Sequence, residues 1–174
     1  KIQIMAEVLL ITTTDIKRNS VVSGSVDVDK FIQYLKIAQD IHIQQYLGTD
    51  LLVAIQGKIE DGTINDGGNA NYKNLLIKYV KPMLIYWALV EYYPFAAYTV
   101  ANGGVYKHTS ETSETVNKDE VDFLIEKART TAQNYTRRFI DYICFNTTLF
   151  PEYLSNSNED VSPSGDGNFG GWVL

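Results

Sequence analysis

The chain has 174 residues, 45% of them hydrophobic, which is enough for one domain with a core and too apolar for a disordered chain. With a formal net charge of -6, it is not expected to attract nucleic acid or anionic lipid over a broad surface. Its longest uncharged apolar-rich stretch is interrupted by Pro94 and two glycines and is too short to cross a bilayer. We therefore expect neither direct DNA recognition nor a membrane span.

Helical patterning begins at residues 28–47, where apolar side chains recur along one face. Gly48 is expected to end this helix, and Thr49 and Asp50 have the character of a new N-cap directly after it. Apolar residues then continue to Ile59 as a short second helix. The pattern predicts a helix hairpin with a very tight corner.

The turn after this hairpin has a weak likeness to a calcium-binding loop, because Asp61, Thr63 and Asn65 fall at alternating positions. The sixth position, where such a loop needs glycine, is Asp66. The twelfth position, which requires a bidentate glutamate, is Tyr72. We therefore expect a solvated turn.

Residues 71–100 form the most apolar segment, with large side chains on every side of the helix that they predict. Such a helix is surrounded by other elements, which places it at the centre of a bundle or of an assembly. Pro82 is expected to kink it, and Pro94 to bend or end it.

A last long helix is predicted over residues 118–145, with acidic residues in its first turns and arginines later, as the helix dipole favours. The only cysteine, Cys144, lies at its end and is expected to be a small core hydrophobe. Of the two histidines, His42 is expected to be partly buried and hydrogen-bonded, and His108 to lie in a solvated loop. No spacing brings them together with carboxylates, so we expect no catalytic residue, no bound cofactor and no metal site.

Between the two long helices lies a polar segment, residues 102–117, which is too rich in Ser, Thr and Gly for a helix. Side chains alternate in character over residues 105–109, as they do in a short exposed strand or hairpin. An exposed edge strand can add to a partner's sheet through main-chain hydrogen bonds.

The composition changes after Phe150, so the sequence predicts a helical domain at residues 1–150 and an extended, flexible tail at 151–174. From Asn146 onward the chain contains acids but no Lys or Arg, and such a stretch cannot bury enough surface to order itself. The tail nevertheless finishes on large apolar residues, which are either a frayed end or anchors that fill pockets on a partner: Phe169, Trp172, Val173 and Leu174.

Three glycines in the tail, Gly165, Gly167 and Gly170, have the G-x-G-x-x-G spacing of a dinucleotide-binding turn. That site needs a strand before the glycines, a helix after them and an acid about twenty residues further on. The sequence stops four residues after Gly170, so we interpret the glycines as hinges.

Three short motifs carry a family resemblance: Leu-Gly at 47–48, Asn-Gly-Gly-Val at 102–105 and Pro-Glu-Tyr at 151–153. Taken with the helix hairpin, the long apolar helix and the closing helix, they resemble the head-to-tail connector, or ring, proteins of tailed bacteriophages. The chain is most similar in pattern to those of the crAss-like phages that infect gut Bacteroidales. The resemblance covers most of residues 6–154.

The resemblance implies a mainly α subunit, a bundle of four or five helices with an extended loop or short β-hairpin between the two long ones. It implies a ring, commonly of about twelve copies, beneath the portal in the neck of the virion. The implied partners are further copies of the chain, the portal protein and the next ring or tail component. Genomic DNA passes through the channel without sequence-specific binding.

In these proteins the segment between the long helices reaches a neighbouring subunit or the portal. The resemblance therefore implies a docking arm at about residues 102–117, with contacts from Gly103, Gly104, Val105, Tyr106, Lys107 and His108.

Two other functions stay open. The crowded aromatic residues around Trp87 and Tyr92 suit a small helical adaptor that binds a peptide or a helix in an aromatic groove. An enzyme with an unrecognised site is the third possibility, and it requires a concave pocket with convergent titratable groups.

Overall fold

A computed structural model describes residues 8–19, 28–96, 98–101, 104–107, 118–157 and 160–165, with the backbone alone at 28–30, 98–101 and 104–107. The helices in these ranges are α1 (Thr13–Asn19), α2 (Val28–Ala38), α3 (Gln44–Leu47), α4 (Thr49–Glu60), α5 (Ala70–Leu75), α6 (Lys81–Tyr92), α7 (Lys118–Phe145) and α8 (Pro151–Ser155). An antiparallel hairpin of β1 (Tyr98–Ala101) and β2 (Gly104–Lys107) lies between α6 and α7 in the chain. The predicted mainly α bundle is therefore confirmed.

Two π-helical turns join short helices into longer ones. Gln39–Ile43 connects α2 to α3, and Leu76–Val80 connects α5 to α6. In the second turn the Lys81 N–H donates to the Leu76 carbonyl, five residues back. Pro82 follows directly and has no N–H to continue ordinary α-helical bonding, so the distortion expected of this proline is a π-helical turn.

The α5–α6 helix has the central position that its all-round apolar character predicted. α6 packs against α1, α2 and α7, and seven of its side chains are buried: Met83, Leu84, Ile85, Trp87, Ala88, Leu89 and Val90. It ends at Tyr92, before the 3₁₀ turn Tyr93–Phe95, and does not continue to residue 100. The reason is Pro94, whose ring prevents a further α-helical turn.

The long helix α7 has the predicted bounds, Lys118–Phe145. Its buried residues form a stripe at helical spacing that faces α6: Ala128, Ala132, Thr136, Phe139, Ile140 and Ile143. Residues 118–127 include no buried side chain. Cys144 is exposed, so its assignment to the core is wrong. It lies one residue beyond Ile143, the last buried position of the stripe, and therefore points away from the core.

The ends of the described chain are fastened to the bundle by polar contacts. Gln39, only 1% exposed in the first π-helical turn, accepts a hydrogen bond from the Leu10 N–H and donates to the Val8 carbonyl. α8 packs against α4. The sequence did not indicate the short helices α1 and α8, because seven and five residues are too few to display a helical period. No helix in the described ranges is long and apolar enough to span a membrane.

Candidate interaction surface

The β1–β2 hairpin places four of the six predicted arm residues in one strand. β2 contains Gly104 to Lys107, and its register against β1 is Tyr98 with Lys107, Thr99 with Tyr106, Val100 with Val105 and Ala101 with Gly104. Gly103 and His108 lie outside the described residues, as do the predicted anchors Phe169, Trp172, Val173 and Leu174.

The sequence holds a signal that would have located both strands. The register leaves two residues between them, and their sequence, Asn102-Gly103, is the pair most typical of a two-residue hairpin loop. The alternation over residues 105–109 indicates the second strand alone. Most of β1 falls within the helix predicted over residues 71–100.

Both strands of this hairpin have an outer edge without a partner in the described structure. The sheet of the described structure consists of these two strands, β1 and β2. An isolated two-stranded hairpin is at best marginally stable in water, and its unpaired N–H and C=O groups are a template for a further strand. The hairpin is thus a surface that another chain would complete.

The first turns of α7 add an exposed apolar surface close to the hairpin in the chain. Phe123 is 69% exposed and Leu124 41%, and both lie among acidic residues of the first turns such as Asp119 and Asp122. At the opposite end of the helix Phe145 is 90% exposed. Both ends of α7 therefore present large apolar side chains that the described part of the subunit does not cover.

The tight corner between α3 and α4 is a second candidate surface, and it already holds a segment of the chain. Gly48 has φ 75° and ψ 159°, a conformation almost restricted to glycine, and it ends α3 as predicted. Residues 160–165 together with Ser157, here named the strap, cross this corner. The Thr49 N–H donates to the Val161 carbonyl at 3.0 Å, and the Val161 N–H donates to Thr49 Oγ1 at 3.1 Å.

Carboxylates reinforce the contact between corner and strap from both sides. Asp160 Oδ2 in the strap accepts hydrogen bonds from Thr49 Oγ1 at 3.0 Å and from Gln44 Nε2 at 2.9 Å. Asp50 Oδ2 in the corner accepts one from the Ser157 N–H at 2.7 Å. Thr49 and Asp50 were expected to cap α4, and this assignment is wrong: the N-cap is Gly48, and both side chains bind the strap.

The description of residues 151–174 as an extended, flexible tail needs correction where the structure describes them. Residues 151–155 form α8, and residues 160–165 are extended but bound to the corner. The composition argument, that the chain from Asn146 onward buries too little surface to order itself, is wrong for the described part: Phe150 is fully buried in the core and Tyr153 packs against it. It overlooked the free N–H groups at a helix start, which can fix an extended chain without a core.

The residues proposed for an aromatic groove are occupied by contacts within the subunit. Trp87 is 7% exposed, stacks on the His42 ring at 4.1 Å and donates its indole N–H to Thr136 Oγ1 at 3.1 Å. His42 Nε2 lies 2.9 Å from Glu91 Oε1, which confirms it as a partly buried, hydrogen-bonded histidine. Tyr92 likewise packs edge-on against another ring of the subunit.

Several other tyrosines pair with one another between α7 and the α5–α6 helix. Tyr79 stacks on Tyr142 with 4.2 Å between ring centroids, and Tyr86 stacks on Tyr135 with 5.6 Å. The guanidinium of Arg138 lies over the rings of Tyr79 and Tyr135. These rings join the helices of one subunit, so tyrosine content alone does not indicate a partner.

A surface depression of about 340 Å³ lies beside α1 and α6, and its lining includes Asp15, Lys81 and Tyr86. Asp15 Oδ2 and Lys81 Nζ are 2.8 Å apart. Burial acts to raise the pKa of Asp15, but hydrogen bonds from Lys81 and Thr12 outweigh it and hold this pKa below its usual value. The two charged groups satisfy each other, and no cluster of three or more potential metal ligands occurs within the described ranges.

Comparison with protein families gives one match. Residues 43–163 match the family described as "Family of unknown function (DUF6712)", which is more than half of the chain. The chain belongs to the DUF6712 family. No curated protein and no solved structure shows significant similarity to it. The DUF6712 match begins in the π-helical turn before the corner and ends in the strap. It therefore includes the corner, the hairpin, α7 and most of the strap.

Proposed function

We propose that this DUF6712 protein is a structural subunit of a tailed-phage virion. It forms a ring beneath the portal, joins the capsid to the tail and continues the DNA channel. The observation that carries the proposal is the β1–β2 hairpin, which lies between the two long helices and has two unpaired edges within the described residues. A subunit in a ring supplies what this hairpin lacks, because each copy presents the same edge to its neighbour or to the portal.

The exposed ends of α7 support a contact that repeats around a ring. A helix of 28 residues is about 42 Å long, and its first ten residues contribute no buried side chain to the subunit. In a closed ring, a surface at one end of the helix meets a different surface on the next copy. Phe123 and Phe145, exposed at the two ends, are the residues that we expect to become covered.

The charge of the chain is compatible with a channel wall. A surface that lets DNA slide must not hold phosphates by many Lys and Arg contacts, since each such contact strengthens binding. The chain has 15 Lys and Arg against 21 Asp and Glu. Passage of DNA without sequence-specific binding is therefore part of the proposal.

The proposal is tested by the mass of the purified chain in light scattering and by negative-stain images. We expect a closed ring with a mass of about twelve times the 19.6 kDa of one chain. We also expect that replacing residues 98–107 by a Gly/Ser linker of equal length removes the ring and keeps the helical circular dichroism. A chain that is monomeric at every accessible concentration and does not bind the portal vertex of phage particles would contradict the proposal.

A matched control separates loss of the hairpin from a general effect of loop replacement. Residues 61–69 connect α4 to α5 through two short 3₁₀ turns at the surface. The double variant Gly67→Ser and Gly68→Ser changes that turn, and a Cβ atom at either position would meet open space. This variant is expected to leave the ring intact. Loss of the ring in both variants would show that the hairpin has no special role.

The helical adaptor remains the second candidate. Its aromatic groove would have to be at another surface, because Trp87 and Tyr92 are already packed within the subunit. A monomer or dimer in the same mass measurement, with the hairpin replacement leaving that mass unchanged, would favour the adaptor.

A further inference from the structure

The depression beside α1 and α6 has an apolar and aromatic lining. It combines the side chains of Ile77, Pro82 and Ile85 with the stacked rings of Tyr86 and Tyr135. An apolar cavity of about 150 Å³ can hold one benzene molecule. The volume of the depression, about 340 Å³, is therefore sufficient for a phenyl ring and the atoms around it.

The helices around the depression form a basic surface in an acidic chain. The α5–α6 helix packs against the middle of α7, and residues 67–90 and 127–140 contain no Asp or Glu. The cations in these two segments are Lys73, Lys78, Lys81, Lys127, Arg129, Arg137 and Arg138. Lys81 lines the depression, and the Arg138 guanidinium lies 5.7 Å from the centre of the Tyr135 ring. Among the described lining residues Asp15 is the one acid, and it pairs with Lys81, so the rim has a net positive charge.

The first turns of α7 have the complementary character. Residues 119–125 contain Asp119, Glu120 and Asp122 and no Lys or Arg. The Phe123 side chain lies among these acids and is 69% exposed. A phenyl ring surrounded by carboxylates matches an aromatic depression surrounded by ammonium and guanidinium groups, because the apolar parts and the charges are both complementary.

Phe123 cannot enter the depression of its own subunit. Phe123 and Tyr135 belong to one continuous helix, α7, and a helix rises 1.5 Å per residue, so about 18 Å separates them along its axis. This distance is far longer than a phenylalanine side chain. The two complementary surfaces can therefore meet only between two copies of the chain.

We infer that, in the ring, the first turns of α7 of one copy dock on the next copy, with Phe123 in its depression. This inference rests on the proposed function and names the two surfaces of the repeated contact. Each copy carries one surface of each kind, and such a heterologous contact closes into a ring when the rotation between copies permits it. The aromatic side chain supplies most of the affinity, and the charges around it fix the orientation of the two copies.

Cross-linking between two single-cysteine variants tests the contact. Asp119→Cys, one helical turn before Phe123, and Ile77→Cys, in the depression, each carry Cys144→Ser, are co-expressed with different tags and are treated with a short bismaleimide. Docking predicts a covalent heterodimer on a denaturing gel. Val53→Cys replaces Ile77→Cys as the matched control, because Val53 is 53% exposed against 49% for Ile77 and lies on α4, outside the depression.

Substitutions on both surfaces supply a second measurement, by light scattering over a dilution series. Phe123→Ser is expected to weaken the association of copies roughly ten- to a hundred-fold, as loss of one buried aromatic side chain predicts. Leu154→Ser, at a residue 62% exposed on α8, is the matched control and should leave association unchanged. Lys78→Glu should weaken association through like-charge repulsion, and adding Asp119→Lys to it should restore part of the loss.

The outcomes separate this inference from the ring itself. A ring with heterodimer well above the Val53→Cys control, weakened by Phe123→Ser, supports the docking. A ring with heterodimer at the control level, or with full association in Phe123→Ser, overturns the docking and leaves the ring proposal standing. A monomer without heterodimer contradicts both. Retardation of double-stranded DNA that Lys78→Glu abolishes would assign the basic surface to nucleic acid and would also overturn the docking.

Discussion

Replacing Gly48 by alanine tests the structure of the corner most directly. The backbone conformation at this residue, φ 75° and ψ 159°, is strained for any side chain and costs roughly 1–3 kcal/mol. The new Cβ would also lie 2.8 Å from Pro163 Cδ and 2.9 Å from Asn156 Oδ1, and relief of such an overlap costs about 1–3 kcal/mol. Together, Gly48→Ala is expected to destabilise the subunit by about 2–6 kcal/mol, a large part of a typical domain's 5–15 kcal/mol.

The measurement is urea unfolding followed by circular dichroism, with all variants at the same chain concentration because oligomers gain stability with concentration. Gly57→Ala is the matched control. Gly57 lies within α4, and no atom lies within 4 Å of its Cβ position, so alanine there is expected to stabilise the chain by about 0.5–1 kcal/mol. Opposite signs for the two glycines are the central expectation.

The contribution of the strap is isolated by a double-mutant cycle with Pro163→Ala. Removing the proline ring relieves the closest overlap but not the one with Asn156, so the cost of Gly48→Ala should fall by roughly 0.5–3 kcal/mol. A cost of Gly48→Ala below about 1 kcal/mol would refute the argument on backbone strain. An unchanged cost in the Pro163→Ala background would show that the strap does not occupy the space that the glycine leaves.

Two further predictions concern contacts between helices. Thr136→Val removes the acceptor of the buried Trp87 indole N–H and is expected to lower the free energy of unfolding in urea by about 1–3 kcal/mol. Thr136→Ser keeps the hydroxyl and should keep much of the stability. Equal losses for the two variants would contradict the role of this hydrogen bond. Because the folded-state pKa of Asp15 lies below its ordinary 3.8, its ion pair with Lys81 contributes stability above that pH and loses it as pH falls. Asp15→Asn should therefore flatten the acid side of the curve of stability against pH, and parallel curves for the two proteins would refute this linkage.

Local features of the sequence determined most of the helical framework. The bounds of α7 follow from an apolar stripe at helical spacing, and the corner follows from Gly48, because glycine alone adopts that conformation easily. The central place of α6 follows from apolar residues on all its sides. Each of these properties depends on residues within a few positions of one another, which is why the sequence alone reveals them.

The tertiary structure decided which groups meet across long distances in the chain. Thr49 and Val161 are 112 residues apart, and Trp87 and Thr136 are 49 apart, so no spacing in the sequence signals their hydrogen bonds. The same holds for the strap. Its composition indicates a free tail, whereas in the folded chain the Thr49 N–H at the start of α4 donates a hydrogen bond to the Val161 carbonyl of the strap. Helical period and glycine conformation are properties of a short segment, whereas a hydrogen-bond partner or the exposed side of Cys144 is set only when the segments pack together.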